Sequence, residues 1–160
     1  MTGPYLDAMA LLPAGVTVVT VADGRDDVGA TVTAFGSVSA DPPIVWVGVG
    51  AEGYMAEVIG AAGAFAVNVL GAGQRVVAGR FSAEGRPSAR LLVTDQPHHR
   101  GGHTRAIVLD DALAALECTV RQRLEVGDHV VYLADVVGLA GVRGEGPALV
   151  RRSGRYHALD

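Results

Sequence analysis

Runs rich in β-branched residues recur along this chain without the evenly spaced helices that a parallel sheet requires. The clearest are Gly15 to Ala22 (GVTVVTVA), Ile44 to Gly50 and Phe65 to Leu70. Leu113 to Leu124 and Val130 to Val142 are longer, joined by the hairpin-like Glu125-Val126-Gly127-Asp128. Leu149-Val150 begins a last short strand, and Arg151 to Tyr156 reads as a tail. Helical spacing is confined to short insertions at Pro4 to Leu12, at Tyr54 to Gly60 (closed by its glycine) and at Gln74 to Phe81. The pattern predicts a mainly β fold, a closed antiparallel barrel with short helical insertions. No internal repeat or linker interrupts it, so residues 1–160 are expected to form a single domain.

Gly29 to Pro43, GATVTAFGSVSADPP, is chemically the most distinctive stretch. In a strand, Thr31, Thr33, Phe35, Ser37 and Ser39 share one face, while Val32, Ala34 and Val38 face a core. A face of hydroxyls with one aromatic suits an uncharged ligand edge needing hydrogen bonds and close approach. The alternative is a Thr/Ser-rich strand at a sheet edge. Gly29 and Gly36 allow a turn and a bulge, and Asp41-Pro42-Pro43 stops the strand.

Several classes of chemistry fall away on composition. All thirteen basic residues are arginine. Without lysine there is no Schiff base, no lysine-anchored pyridoxal phosphate and no phosphate-loop lysine. The single cysteine, Cys118, cannot form an internal disulfide or a cysteine-based metal site, and reads as a small core residue. A net charge of −4 and 5% aromatic residues argue against a nucleic-acid surface. The longest apolar run, Ile44 to Ala51, is too short to cross a bilayer, and the N-terminus carries Asp7 with no basic residue before Arg25. A cytoplasmic protein is expected.

Local motifs narrow the rest. Neither a dinucleotide-binding fingerprint nor a G-x-S-x-G elbow is present. Gly127-Asp128-His129 places an imidazole between two strands with a carboxylate beside it, or else is an exposed turn with a capping Asp. His98, His99 and His103 lie in a long aperiodic stretch from Ser82 to Thr104, with a short helix near Ser88 to Leu92. Gly101-Gly102 separates the last two histidines, so a solvated loop is expected there and no metal site. If a phosphate is bound near Glu52 to Tyr54, backbone amides at a helix start would hold it, with Arg80 as a charge partner.

In order along the chain, these segments resemble the short-chain flavin reductase family. Pro13-Ala14-Gly15-Val16-Thr17-Val18-Val19-Thr20 is similar to its opening strand. Gly29 to Phe35, Ser37-Val38-Ser39 and Asp41-Pro42-Pro43 are similar to its G-x-T-x-S-S-F-x-S-V-S-x-x-P-P signature. Phe65 to Leu70, Gln74, Phe81, Leu116-Glu117-Cys118, Gly127-Asp128-His129 and Gly154-Arg155-Tyr156 follow in register. The resemblance implies a Greek-key split β-barrel of the FMN-binding type and a homodimer. It implies oxidation of NADH or NADPH, reduction of FMN or FAD, and release of reduced flavin to a partner monooxygenase. Thr31, Val32, Thr33 and Ala34 would line the isoalloxazine, largely through backbone groups. Ser37 and Ser39, then Gly50, Ala51, Gly53 and Tyr54, would approach the ribityl and phosphate. His129 would position the nicotinamide, and Arg80, Phe81, Asp128 and Tyr156 complete the implied binding set.

The chain departs from the family pattern in three places. Ala51-Glu52-Gly53-Tyr54 stands where Ser or Thr is common, Thr33-Ala34 replaces a Ser-Ser pair, and Ser88-Ala89-Arg90-Leu91-Leu92 replaces a D-R-F-like segment. Two further roles therefore stay open: a non-catalytic flavin-binding module, and a barrel turned to other chemistry around His129, Tyr156 and the His98–His103 loop.

Overall fold

The computed structural model describes residues 2–24 and 26–160. In chain order the elements are α1 (Thr2–Ala10), β1 (Ala14–Gly15), β2 (Thr17–Asp23), β3 (Asp26–Val32), β4 (Phe35–Ala40) and β5 (Pro43–Gly50). Then come α2 (Tyr54–Ala62), β6 (Ala64–Val69), a 3-10 turn (Ala72–Gln74), α3 (Arg75–Ser82) and α4 (Ala89–Leu92). The chain ends with β7 (His98–Arg100), β8 (Ile107–Leu109), β9 (Ala114–Val126), β10 (His129–Val142), β11 (Ala148–Arg152) and β12 (Arg155–Leu159). No helix among the described residues is long and apolar enough to cross a membrane.

Seven strands form one sheet in the order β3-β2-β6-β9-β10-β5-β4. Every pair in it is antiparallel. The expected mainly β architecture is present, and among the described residues the pairing order has β3 and β4 at its ends with no pair joining them. Those two ends are consecutive in the chain, linked through Thr33-Ala34, and the Gly48 N–H donates to the Ala34 carbonyl at 2.8 Å. The sheet therefore curls until its edges approach. Inside the curl, Val19, Val47, Phe65 and Tyr132 of the sheet are fully buried together with Ile59 of α2. A second core, with Leu70, Phe81, Ile107 and Leu149, lies between the sheet, α3, and the small sheet of β1, β11 and β12.

Four local expectations change. Helix α2 runs past Gly60 and ends at Gly63, which adopts φ 68° and caps the Ile59 carbonyl. Gly60 instead makes room for the Tyr132 hydroxyl, which would lie 2.9 Å from an added Cβ and donates to the Ala56 carbonyl at 2.5 Å. The bulge in β4 falls at Val38, not Gly36, and turns Val38 outward to 56% exposure. The tail is a hairpin of β11 and β12, and the stretch from Ser82 to Thr104 contains β7, paired with β8.

Gly29 is a close-approach glycine. A Cβ there would meet Phe81 Cε1 at 2.5 Å and Cδ1 at 2.9 Å, and Phe81 is fully buried with no room to yield. Gly29→Ala is expected to cost about 2 kcal/mol of stability by overpacking, measured by urea denaturation; an unchanged midpoint would show that α3 is free to shift.

Candidate functional site

Three segments distant in sequence meet at one end of the curled sheet. The outer edge of β3 and its continuation through Thr33-Ala34 form the floor. Gly48 to Gly50 of β5 and Gly53 to Met55 at the start of α2 form one wall, and Ser82 with Gly85 to Ser88 forms the other. His129, the first residue of β10, stands at the mouth. The cleft measures about 670 Å³.

The floor is built of main chain. The Asp27 carbonyl accepts from the Ser88 hydroxyl at 3.3 Å, and the Gly29 carbonyl accepts from Arg86 Nε at 2.7 Å. Along an antiparallel strand, the N–H and C=O of alternate residues point to the same side. Thr31 thus continues this outward row into the cleft, whereas beyond the strand the Thr33 carbonyl accepts from the Phe35 N–H at 3.1 Å. The Thr31 hydroxyl is engaged elsewhere, donating to the Ala78 carbonyl of α3 at 2.6 Å. The expected hydroxyl face therefore braces a helix at this point, and the surface offered to a ligand is mainly one of backbone donors, since the Val32, Thr33 and Ala34 carbonyls accept from the Thr17 hydroxyl, the Phe35 N–H and the Gly48 N–H.

The opposite wall ends at a helix start with no side-chain cap. The first backbone N–H groups of α2 lack partners within the helix, and the Gly53 N–H turns back to the Gly50 carbonyl at 3.0 Å. Gly50 faces open space, with nothing within 4 Å of an added Cβ. The Ala51 N–H donates to the Asp128 carbonyl at 2.9 Å, tying this wall to the β9–β10 turn.

Arg86 is the one arginine that lines the cleft among the described residues. Its Nε bond to Gly29 is joined by a bond from a terminal nitrogen to the Ala83 carbonyl at 3.2 Å. Both partners are neutral, Arg86 forms no ion pair with a carboxylate among the described residues, and burial pulls its pKa below the usual arginine value. A half-buried cation held by carbonyls alone leaves a demand for an anion. Uncluttered glycines, a main-chain edge and this cation together suit a flat heterocycle with a phosphate tail.

The flavin reductase-like domain model matches residues 9–160. The chain belongs to that family. An NADH-dependent FMN reductase from Streptomyces nodosus subsp. asukaensis is 37% identical over 95% of this chain and 82% of its own length. An NADH-dependent FAD reductase from Streptomyces globisporus is 38% identical over 78% of this chain and 68% of its own. The flavin reductase component of a bacterial two-component tryptophan halogenase superposes with a TM-score of 0.91 at 31% identity, covering 99% of this chain and 98% of that one.

Within this flavin reductase-like chain, Thr31, Val32, Thr33, Ala34, Gly50, Gly53, Tyr54 and His129 come together around the cleft. The other residues singled out in the sequence lie elsewhere. Ser37 and Ser39 flank the Val38 bulge, and Ala51 acts only through its backbone. Arg80, the expected charge partner, forks onto Asp95 at 2.5 and 2.8 Å and holds that carboxyl down to about 2. The Phe81 ring is sealed in the second core. Tyr156 lies 5.9 Å beneath the Arg151 guanidinium, on the small sheet. Asp128 does not line the cleft either, but it orients what does: its carboxylate lies 2.9 Å from His129 Nδ1, and that bond keeps its pKa below the ordinary aspartate value.

The histidine-rich segment disperses. His98 Nδ1 meets the Gln96 carbonyl at 2.7 Å, His99 pairs with Asp110 at 2.5 Å, and the His103 ring packs against Gly138. Among the described residues no three His, Cys, Asp or Glu side chains are grouped to hold a metal. The cleft's main omission from the sequence expectations is the wall of Gly85-Arg86-Pro87-Ser88. Its only signal was a Gly-Arg-Pro turn inside a long aperiodic stretch.

Proposed function

We propose that this chain is an NAD(P)H-dependent flavin reductase, oxidising NADH or NADPH, reducing FMN or FAD, and releasing the reduced flavin to a separate monooxygenase. The observation that carries the reading is the outward main-chain edge of β3 facing Arg86, a cation with no carboxylate partner among the described residues. The strip at Thr31 to Ala34 would receive the polar edge of the isoalloxazine through backbone groups. Arg86 and the first amides of α2 would take the phosphate, against the local repulsion of Glu52. The bound flavin supplies the hydride acceptor, and no protein acid or base is required at the transferring carbon. The protein's contribution is stacking and alignment, with His129, steadied by Asp128, holding the nicotinamide over the cleft mouth.

The reading is tested by mixing protein with NADH and free FMN or FAD and following loss of NADH absorbance. Turnover with at least one flavin is expected. Quenching of flavin fluorescence without NADH oxidation would point to a flavin carrier, and neither signal would end the proposal. His129→Ala is expected to raise the KM for NADH about tenfold, and more than the KM for flavin. Equal changes in both would remove His129 from the nicotinamide side.

A homodimer fits the same reading. Helix α1 has no buried residue and leaves Tyr5, Leu6 and Met9 exposed, as are Leu139 and Val142. A second copy would cover such surface, and light scattering should return twice the chain mass. The cytoplasm, where NADH and flavin are both available, is the proposed location.

A further inference from the structure

A second hollow of about 350 Å³ opens beside the cleft and shares its rim at Asp26 and Asp27. Arg90, Arg100 and Arg105 face it, three guanidinium groups against two carboxylates. Asp27 is only 3% exposed and is clasped by both arms of Arg100, one at 2.8 Å, with Arg90 Nε at 3.3 Å. That clasp neutralises Arg100 and fixes it in place. Arg105 is different. It adopts a left-handed backbone, φ 59°, held by its N–H on the Gly101 carbonyl at 3.1 Å and by Arg100 on its own carbonyl at 3.1 Å. Its guanidinium makes no hydrogen bond or ion pair with the described residues. A strained non-glycine backbone presenting an unspent arginine at a hollow is the kind of outlier that points to a ligand.

The ligand must suit both charges on this rim. A bare phosphate would be repelled by Asp26, an exposed carboxylate with Arg90 3.6 Å away. An adenylate suits both, since its phosphate takes guanidinium donors and its ribose hydroxyls donate to a carboxylate. The distance also fits. Strand rise sets Asp27 roughly 20 Å along the β3 edge from Thr33, a reach for a dinucleotide rather than a mononucleotide.

We propose that this hollow is an adenylate subsite, with Arg105 and Arg90 on the phosphate and Asp26 on the ribose of a dinucleotide whose other half lies in the main cleft. It rests on the flavin reductase reading of that cleft. The adenylate would come from FAD or from the nicotinamide dinucleotide, and two pairs of substrates separate these sources: FAD against FMN, and NADH against reduced nicotinamide mononucleotide. In Arg105→Glu, the KM of the dinucleotide in one pair should rise about tenfold relative to its mononucleotide. The pair that responds identifies the source. A calorimetric titration with ADP gives a readout independent of turnover: wild type should bind it and Arg105→Glu should lose at least tenfold in affinity. If ADP binds and the variant loses it while wild type oxidises no NADH, the reductase reading falls and the hollow stands. If wild type is an active reductase but ADP does not bind and neither ratio moves, the adenylate subsite is overturned.

Discussion

Replacing Arg86 by alanine is expected to raise the KM for FMN by about ten- to a hundredfold, the range for losing a charge-assisted phosphate contact. The effect should fall mainly on KM, because Arg86 would hold a part of the flavin that does not change during hydride transfer. Arg86 also secures the Gly29 and Ala83 carbonyls, so a purely structural loss must be told apart. Riboflavin does this, since it lacks the phosphate. If Arg86 binds phosphate, Arg86→Ala should leave riboflavin nearly as good a substrate as before, and FMN should lose its advantage over it. Equal losses for riboflavin and FMN would mean that the side chain only braces the 82–88 wall. Arg86→Lys should recover part of the FMN advantage while losing the forked geometry.

The second large effect is on stability. Glu117, 3% exposed on β9, accepts from the His103 N–H at 3.0 Å and from the Thr104 N–H and hydroxyl, both at 2.8 Å. One carboxylate oxygen thus anchors the whole 101–106 turn. Gly101 and Gly138 make room for the assembly, since a Cβ at Gly101 would sit 2.1 Å from Glu117 Oε1 and one at Gly138 would meet the His103 ring at 2.6 Å. Glu117→Ala leaves these donors without their acceptor and is expected to cost about 3 kcal/mol, lowering Tm by about 10 °C. The same site gives an acid limb. Burial alone would raise the Glu117 pKa, but the bonds from Thr104 and His103 outweigh it and hold it below the ordinary 4.5. A depressed folded value contributes stability that is complete above the unfolded pKa and is lost as pH falls through the folded one. Wild type should therefore lose stability below about pH 4.5, and Glu117→Gln should be less stable at neutral pH with a shallower loss in acid. Parallel curves for the two proteins would remove Glu117 from the acid transition.

Strand identity was legible wherever one face is buried, because alternation or a continuous apolar run records that burial. Thr17–Asp23, Pro43–Gly50 and Ala64–Val69 all lie within a few residues of where the sequence puts them. Elements held by only a few residues were not legible. The three residues of β7 carry two histidines and an arginine, and their strand character comes from pairing with β8. The final hairpin turns on Ser153 and Gly154, at φ 50° and 73°, and its only mark in the sequence is that Ser-Gly pair. At the site, the family resemblance pointed to Thr31 to Ala34, and these residues do line the cleft. The choice of arginine was not legible. Arg80 and Arg86 are six apart and look alike in sequence, and only the tertiary position of Asp95 commits the first and frees the second. Likewise, nothing local in Phe81 distinguishes a cofactor-facing aromatic from one that closes a core against Gly29.

The β3 edge is the surface proposed to receive the flavin ring. A crystal structure of the protein soaked with FMN tests this most directly. The ring should lie along Thr31 to Ala34 with its phosphate within hydrogen-bonding distance of Arg86 and the first amides of α2. Flavin bound anywhere away from the β3 edge would contradict it.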